Sequence, residues 1–505
     1  MHLKVLNLYA LEDEVRAISC SHNDHLLSGA GHGSRITIEA LPDDTLLDIF
    51  YFRLQAFEDD SDRQARSSCW ITLVHICQRW RNVVFAFPLR LNLCLSYTDR
   101  RTRVRETLNV WPPLPIEILS NYLDDNVLAA LEHRDRVRGV SLLLQKRSLE
   151  RLVTLMQESF PALESLTLAA NYKIDEPWPV LPSTFLGGSA PRLQRLSLWH
   201  ISLPTLPQLL SSSEDLVDLS LESIPYGDHI SPEAMATCIC ALTRLTNLRI
   251  IFSPNCRAPR SHPGQRTRRL SPLTRIVLAS LTKFQFYGDS KFSECLVARI
   301  EAPVLKVVTM THNCLTSPNQ HSFDIQNLAH FIDHSPILMS YNRAKIIFGY
   351  YDMEIMILPT TKPDCDGFSV AIKYNSYNRQ YAPVIAQICS HFSTLLSGVE
   401  WLKITLVPSD SDMDDAKWLE LLRRFISVQT LELCYGAQIC VVSALKGFSM
   451  ESATEILPAL GHLYLEERPR RSGWGREDIG RFIAARQCSN HPVALHFLKR
   501  VVKEK

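Results

Sequence analysis

His330 and His334 stand four residues apart in HFIDH, a spacing that puts two imidazoles on one helix face and could offer them to a zinc ion. Phe331 occupies the place where a zinc protease of that pattern carries its glutamate, so no metallohydrolase follows. GAGHGS at residues 29–34 is glycine-rich, yet no lysine comes after it and no strand-loop-helix frame surrounds it, which makes it a loop before a phosphate cradle. No GxSxG elbow occurs. The 14 cysteines are scattered singly apart from Cys238 and Cys240, and no CxxC pair is present; Cys77 and the rest read as reduced packing thiols. The residue types predict a non-catalytic chain with neither metal nor cofactor.

The bulk properties point the same way. At 505 residues the chain exceeds one ordinary domain, and a net charge of +1 with 21% charged residues gives no global field to hold nucleic acid. The arginine-rich stretch SPNCRAPRSHPGQRTRRLSP, residues 253–272 with Arg266, Arg268 and Arg269, lacks interleaved aromatics and reads as a loop extruded from a larger fold. RPRRSGWGRED, residues 468–478, has the same character. No apolar run reaches membrane-spanning length, and MHLKVLNLYALEDEVR is broken by acids, so the expected location is the cytoplasm or nucleus. Residues 1–37 include EDEVRAISCSHNDHLLSGAGHGSRITI, which has the rhythm of one propeller blade; a lone blade closes no ring, so a leader or capping hairpin is expected.

The elements that would position a binding site begin with LPDDTLLDIFYFRL, residues 41–54. Pro42 suits a first helical turn, Asp43 and Asp44 complement the positive end of the helix dipole, and Leu46, Phe50 and Leu54 recur at steps of four. Leu47, Ile49, Tyr51 and Phe52 add apolar surface beyond that stripe, more than one internal contact covers. A second helix is predicted over WITLVHICQRWRNVVFAFP, with Ile76, Trp80, Val83 and Phe87 on one face and Pro88 ending it.

In order and spacing, Leu41-Pro42, the acidic pair, Leu46, Ile49-Phe50 and then Ile76-Cys77-Gln78-Arg79-Trp80 resemble the F-box motif over about residues 38–88. The adjoining RLNLCLSYTDRRTRVRETLNVWPPLPIEI resembles F-box-like proteins common in mushroom-forming fungi. QAFEDDSDRQARSS, residues 55–68, makes the gap between the two halves longer than in the usual motif, a departure that is cheap in closure entropy but displaces the middle helix. The resemblance implies docking onto the small adaptor of a cullin-RING ubiquitin ligase, with Leu41, Pro42, Leu46, Ile49, Phe50 and Trp80 as the docking face or its support.

Beyond residue 88, strand-like LRLNLCL and PIEIL are separated by an arginine-rich turn containing Arg100, Arg101, Arg103 and Arg105. An apolar triplet with the spacing of Leu163-Leu166-Leu168 then occurs ten times, beginning at Val137, Leu163, Leu193, Leu216, Leu245, Leu281, Leu305, Val399, Val428 and Leu460. The steps are 23 to 36 residues apart from one of 94, with helix-like fillers such as SPEAMATCICALTRL, AKWLELLRRFI and CVVSALKGF. This resembles an irregular leucine-rich repeat solenoid with a curved parallel sheet, the sealing asparagine standing only at Asn171 and Asn313. RAKIIFGYY, MEIMILP and GFSVAIKY in residues 311–395 read as strands of irregular repeats.

The expected organisation is a leader at 1–37, a helical F-box-like domain at 38–88, the solenoid at 89–467 and a cap or tail at 468–505. A target protein, whose identity no residue discloses, is expected on the strand wall at Arg195, Asp218, Arg249, Trp401, Lys403, Glu432, His462 and Tyr464, with the two aromatics as anchors. Two competing functions remain: a repeat scaffold with no ligase link, and an enzyme hidden in residues 311–395, which requires a pocket with converging ionisable groups.

Overall fold

The computed structural model describes residues 38–55, 63–97, 104–171, 177–225, 231–253, 275–314, 325–360, 367–374, 381–407, 413–445, 454–467 and 476–499. The expectations for residues 1–37, for Arg266, Arg268 and Arg269, and for Arg100, Arg101 and Arg103 lie outside these residues. The chain divides into two compact units, Met1–Asn92 and Leu93–Lys505.

The described residues of the first unit are helical. Helix α1 (Asp43–Gln55) carries Asp43 and Asp44 in its first turn and buries Leu46, Leu47, Phe50 and Leu54, the stripe its spacing predicts. The second helix is not continuous: α2 (Arg63–Ile76) and α3 (Gln78–Ala86) are separated at Cys77, whose extended backbone (φ −156°) redirects the chain. The Cys77 thiol accepts from the Trp80 amide at 3.5 Å, a weak sulfur version of an N-cap. That break corrects the predicted face. Ile76 and Phe87 are 53% and 43% exposed, while Trp70, Leu73, Val74, Val83 and Val84 form the interior. The second half of the long 55–68 gap is helix, beginning at Arg63.

The second unit is built on a 16-stranded sheet. Its strands are β1 (Leu95–Tyr97), β2 (Ile116–Ser120), β3 (Val137–Gln145), β4 (Ser165–Asn171), β5 (Arg195–Trp199), β6 (Asp218–Ile224) and β7 (Asn247–Phe252). A short pair, β8 (Ile276–Val277) and β10 (Ile300–Glu301), stands apart. The sheet resumes with β9 (Lys283–Gly288), β11 (Val307–Cys314), β12 (Arg343–Phe348), β13 (Asp352–Leu358), β14 (Phe368–Tyr374), β15 (Trp401–Leu406), β16 (Thr430–Leu433), β17 (His462–Glu467) and β18 (Ala494–Lys499). The strand expected over LRLNLCL starts late, at Leu95, and Arg105 lies on a helix, Val104–Val110, not in a turn.

Each triplet has one structural job. In most of them the first residue closes a tight turn, as in Leu163 N to Phe160 O (3.1 Å), Leu193 N to Ala190 O (3.1 Å) and Leu216 N to Ser213 O (3.1 Å), while Val137 already lies on β3. The second and third residues lie on the adjoining strand and face the core, and in register Leu166, Leu196, Leu219, Leu248, Phe284 and Val308 form one buried row. One such row is entirely apolar and stacks only when its neighbours are present, which is the physical basis of a solenoid. Helices over Pro232–Cys240, Asp415–Leu422 and Tyr435–Leu445 return the chain where the fillers predict them. Asn171 is exposed at the end of β4 and seals no turn.

The region 311–395 is not a set of parallel repeats. β12, β13 and β14 are strands where RAKIIFGYY, MEIMILP and GFSVAIKY predict them, but β13 pairs antiparallel with both its neighbours. β14 lies parallel beside β11 and β12 parallel beside β15, so the order across the sheet is β11-β14-β13-β12-β15. At the far end, residues of the expected cap or tail form a helix (Arg476–Cys488) and β18, parallel to β17.

Candidate interaction surfaces

In the helical unit α1 has two characters. Phe50 is 1% exposed and its ring sits 4.8 Å from that of Trp80, tilted by 57°. Leu46 is fully buried beside it in the same stripe, so these two support the helix from within. Pro42, Thr45, Ile49 and Phe52, spaced three, four and three apart, form the outward stripe; Ile49 is 45% and Phe52 72% exposed. Leu41 and Trp80 are half-buried. Arg79 fixes the start of α1 by donating to Asp43 Oδ1 from Nε (2.9 Å) and Nη2 (2.7 Å) and to the Leu41 carbonyl.

On the sheet, all eight residues expected on the strand wall occupy the face opposite the core. Arg195, Asp218, Asn247 and Lys283 succeed one another in one cross-strand row, and Ser197, Ser220, Arg249 and Gln285 in the next. Trp401, Thr430 and His462 continue the first row at the other end, and Lys403, Glu432 and Tyr464 the second. Several are already engaged. Arg249 donates to Gln285 Oε1 at 2.6 Å and pairs with Glu222 at 3.0 Å, Asn247 donates to Asp218, and Lys403 pairs with Glu432. Burial pulls the Lys403 ammonium down, and the Glu432 hydrogen bond with the charges of Glu432, Cys434 and Glu466 together raise it by more, so its pKa stands above the ordinary lysine value.

The two aromatics do not stand alone. The Arg343 guanidinium lies 4.3 Å from the Trp401 ring centroid, and Tyr464 stacks on His496 at 4.5 Å, with His462 Nδ1 3.2 Å from His496 Nε2. Arg343, Lys345, Lys373, Tyr287 and His496 also belong to this face and were not assigned to it by sequence. Their alternation with apolar residues, as in Arg343-Ala344-Lys345-Ile346, was visible, but without the triplet there was no register to place them.

The groups with chemical potential are used structurally. His330 and His334 lie on one helical turn with rings 4.2 Å apart, and the His334 Nδ1 is 2.7 Å from the His330 carbonyl. Desolvation and then the neighbouring Arg275 lower the His330 pKa. Among the described residues no group of three or more His, Cys, Asp or Glu is placed to hold a metal ion. A small depression of about 190 Å³ lined by Ser183, Phe185, Gly188, Leu203, Thr205, Gln208 and Leu209 holds no ionisable side chain and falls below the usual size of ligand sites. His312 faces the core from β11, 1% exposed, and burial pushes its pKa down to about 4. No helix among the described residues is long and apolar enough to cross a membrane.

No family model matches the chain, and no curated protein matches it. Among solved structures it is similar to the leucine-rich repeat-containing protein LegL7 from Legionella pneumophila, at 14% identity and a TM-score of 0.24 over 79% of this chain and 99% of that one. A likeness that slight carries no argument; the assignment of the second unit as a leucine-rich-repeat-like solenoid rests on its repeated turn, strand and buried triplet.

Proposed function

We propose that this chain is a non-catalytic receptor subunit of a cullin-RING ubiquitin ligase, in which the helical unit docks onto the small adaptor and the outer strand face of the repeats holds a target protein. The observation that carries the reading is the outward stripe of α1. A helix that already buries Leu46, Leu47, Phe50 and Leu54 also presents Ile49 and Phe52 to solvent, next to Pro42. Side chains of that size are left exposed together where another surface covers them. The order of motif residues favours the adaptor as that surface. Recognition by the repeats then supplies proximity: a target lysine held near charged ubiquitin gains effective concentration without an acid, base or nucleophile on this chain.

The test is co-purification of the full chain with the F-box adaptor, beside an Ile49→Asp, Phe52→Asp double variant. Leu46 and Phe50 are unsuitable targets because they are core residues, whereas Ile49 and Phe52 are exposed and their replacement is expected to leave the circular dichroism spectrum unchanged. Association of the unmodified chain that disappears in the folded double variant supports the receptor reading. A well-folded chain that fails to bind adaptor leaves a repeat scaffold with no ligase link.

A further inference from the structure

The net charge of the chain is +1, yet charge on the outer strand face is segregated. Across β9, β11, β14, β13, β12 and β15 the outward side chains include five cations, Lys283, Arg343, Lys345, Lys373 and Lys403, against two acids, Asp352 and Glu354. On the preceding strands β2 to β7 the charges off the core are balanced, Arg138, Arg195 and Arg249 against Glu117, Asp218 and Glu222, and on β16 to β18 the outward acids are Glu432, which pairs with Lys403 of β15, and Glu466. The excess of cations therefore belongs to the block containing the antiparallel strands.

Within the block two of the cations are set against one another, while Lys373 stands opposite Asp352. Lys345 and Lys403 are direct partners in the β12–β15 register, a placement that is unfavourable between like charges on neighbouring strands. Lys403 is offset by Glu432, but Lys345 faces Lys403 on one side and Met356 on the other. One step along the same two strands, Arg343 lies against Trp401, which gives the cations an adjoining apolar shelf. Lys373 lies 5.1 Å from the Tyr287 ring centroid at the other side of the block.

We propose that this block binds an acidic peptide segment of a partner protein, with carboxylates on Lys345, Arg343 and Lys283 and an apolar side chain on Trp401. The proposal deepens the reading of the strand face as the recognition surface and is independent of adaptor docking. Glu354 and Asp352 interrupt the cations at intervals, which opposes a continuous phosphate backbone but accommodates a chain whose carboxylates are spaced by other residues. An anion at Lys345 also relieves the repulsion that the free surface carries.

The experiment is fluorescence anisotropy of the full chain with three labelled probes: a decapeptide of alternating Glu and Leu, the same peptide with Lys for Glu, and a ten-nucleotide single-stranded RNA. The Glu peptide is expected to bind, more weakly as salt rises, and the Lys peptide not to bind. Lys345→Glu is expected to weaken the Glu peptide by about tenfold or more, and Arg195→Glu, outside the block, by less than about twofold. Lys345→Glu is also expected to raise the melting temperature, since it replaces repulsion from Lys403 with attraction, so that affinity falls while stability rises. Adaptor co-purification by the Lys345→Glu variant separates this proposal from the receptor reading, because it is expected to be unchanged. Tighter binding of the RNA than of the Glu peptide, equal binding of both peptides, or unchanged affinity in a folded Lys345→Glu variant would each overturn the proposal.

Discussion

Lowering the pH should destabilise the repeat unit through a single residue, His312. Its ring occupies a core position on β11, in register between Gly288 and Ile372 and with its ring centroid 6.2 Å from that of Phe286. Burial holds its folded-state pKa at about 4, below the ordinary histidine value of 6.5. The folded state keeps the ring neutral while the unfolded chain takes up a proton, so the contribution of His312 is fully present above pH 6.5 and is lost as pH falls toward 4. The limiting difference is about 3 kcal/mol, and about 2 kcal/mol separates pH 7 from pH 5. The assay is urea unfolding of the unmodified chain and a His312→Leu variant from pH 7.5 to 4.5. Other groups titrate in both proteins, so the quantity that matters is the difference between their two pH profiles. That difference should move in favour of the variant by about 2 kcal/mol between pH 7 and pH 5. Parallel profiles would show that His312 does not carry the linkage and would refute the reasoning.

Three further outcomes are expected from packing. Phe50→Ala should cost about 3–5 kcal/mol in chemical unfolding of the helical unit, whereas Phe52→Ala stays within about 0.5 kcal/mol, because the first removes a ring packed on Trp80 and the second removes one facing solvent. Gly436→Ala should lower the melting temperature, since the added methyl runs into the Leu406 carbonyl, while Gly480→Ala, with nothing in reach of its Cβ on an exposed helical face, should raise stability by about 0.5–1 kcal/mol. Arg486→Met should loosen the last repeat: this buried arginine donates to the carbonyls of Pro458 and Leu460 at 3.2 and 3.1 Å, and losing it should speed hydrogen exchange in β17 and β18 before the rest of the sheet.

The repeats were legible in sequence because each triplet carries its information locally. Leu193 closes a tight turn, and Leu196 and Leu198 come next on alternate positions, so spacing alone assigns face and register. The break at Cys77 was not legible for a related reason. Ile76 and Trp80 step by four as they would on one helix, and only the extended backbone between them turns the second half away. The reversal of β13 was hidden because alternation looks the same in either strand direction. Its direction is set by the tight connection at residues 349–351, where an added side chain at Gly349 would run into Asp352, and at the start of β14 an added side chain at Gly367 would run into the Ile357 carbonyl. The pairing of Lys345 with Lys403 joins residues 58 apart by their numbers, beyond the reach of any local pattern.

That reversed strand also changes how the molecule can assemble in time. In an array of identical parallel units, order spreads from any seed to the next unit along the chain. Here β11, paired on one side with β9, finds its second sheet neighbour only after β12 and β13 have been synthesised and folded back, since that neighbour is β14. The hairpin of β12 and β13 closes through three residues and is the local event, available on a microsecond scale, while β15 must then join β12 across two intervening strands of sequence. The sheet thus contains one junction at which growth from the N-terminal strands pauses until a later piece of chain arrives. Folding experiments should resolve two blocks, β1 to β11 and β15 to β18, with β12 to β14 as the slow seam between them.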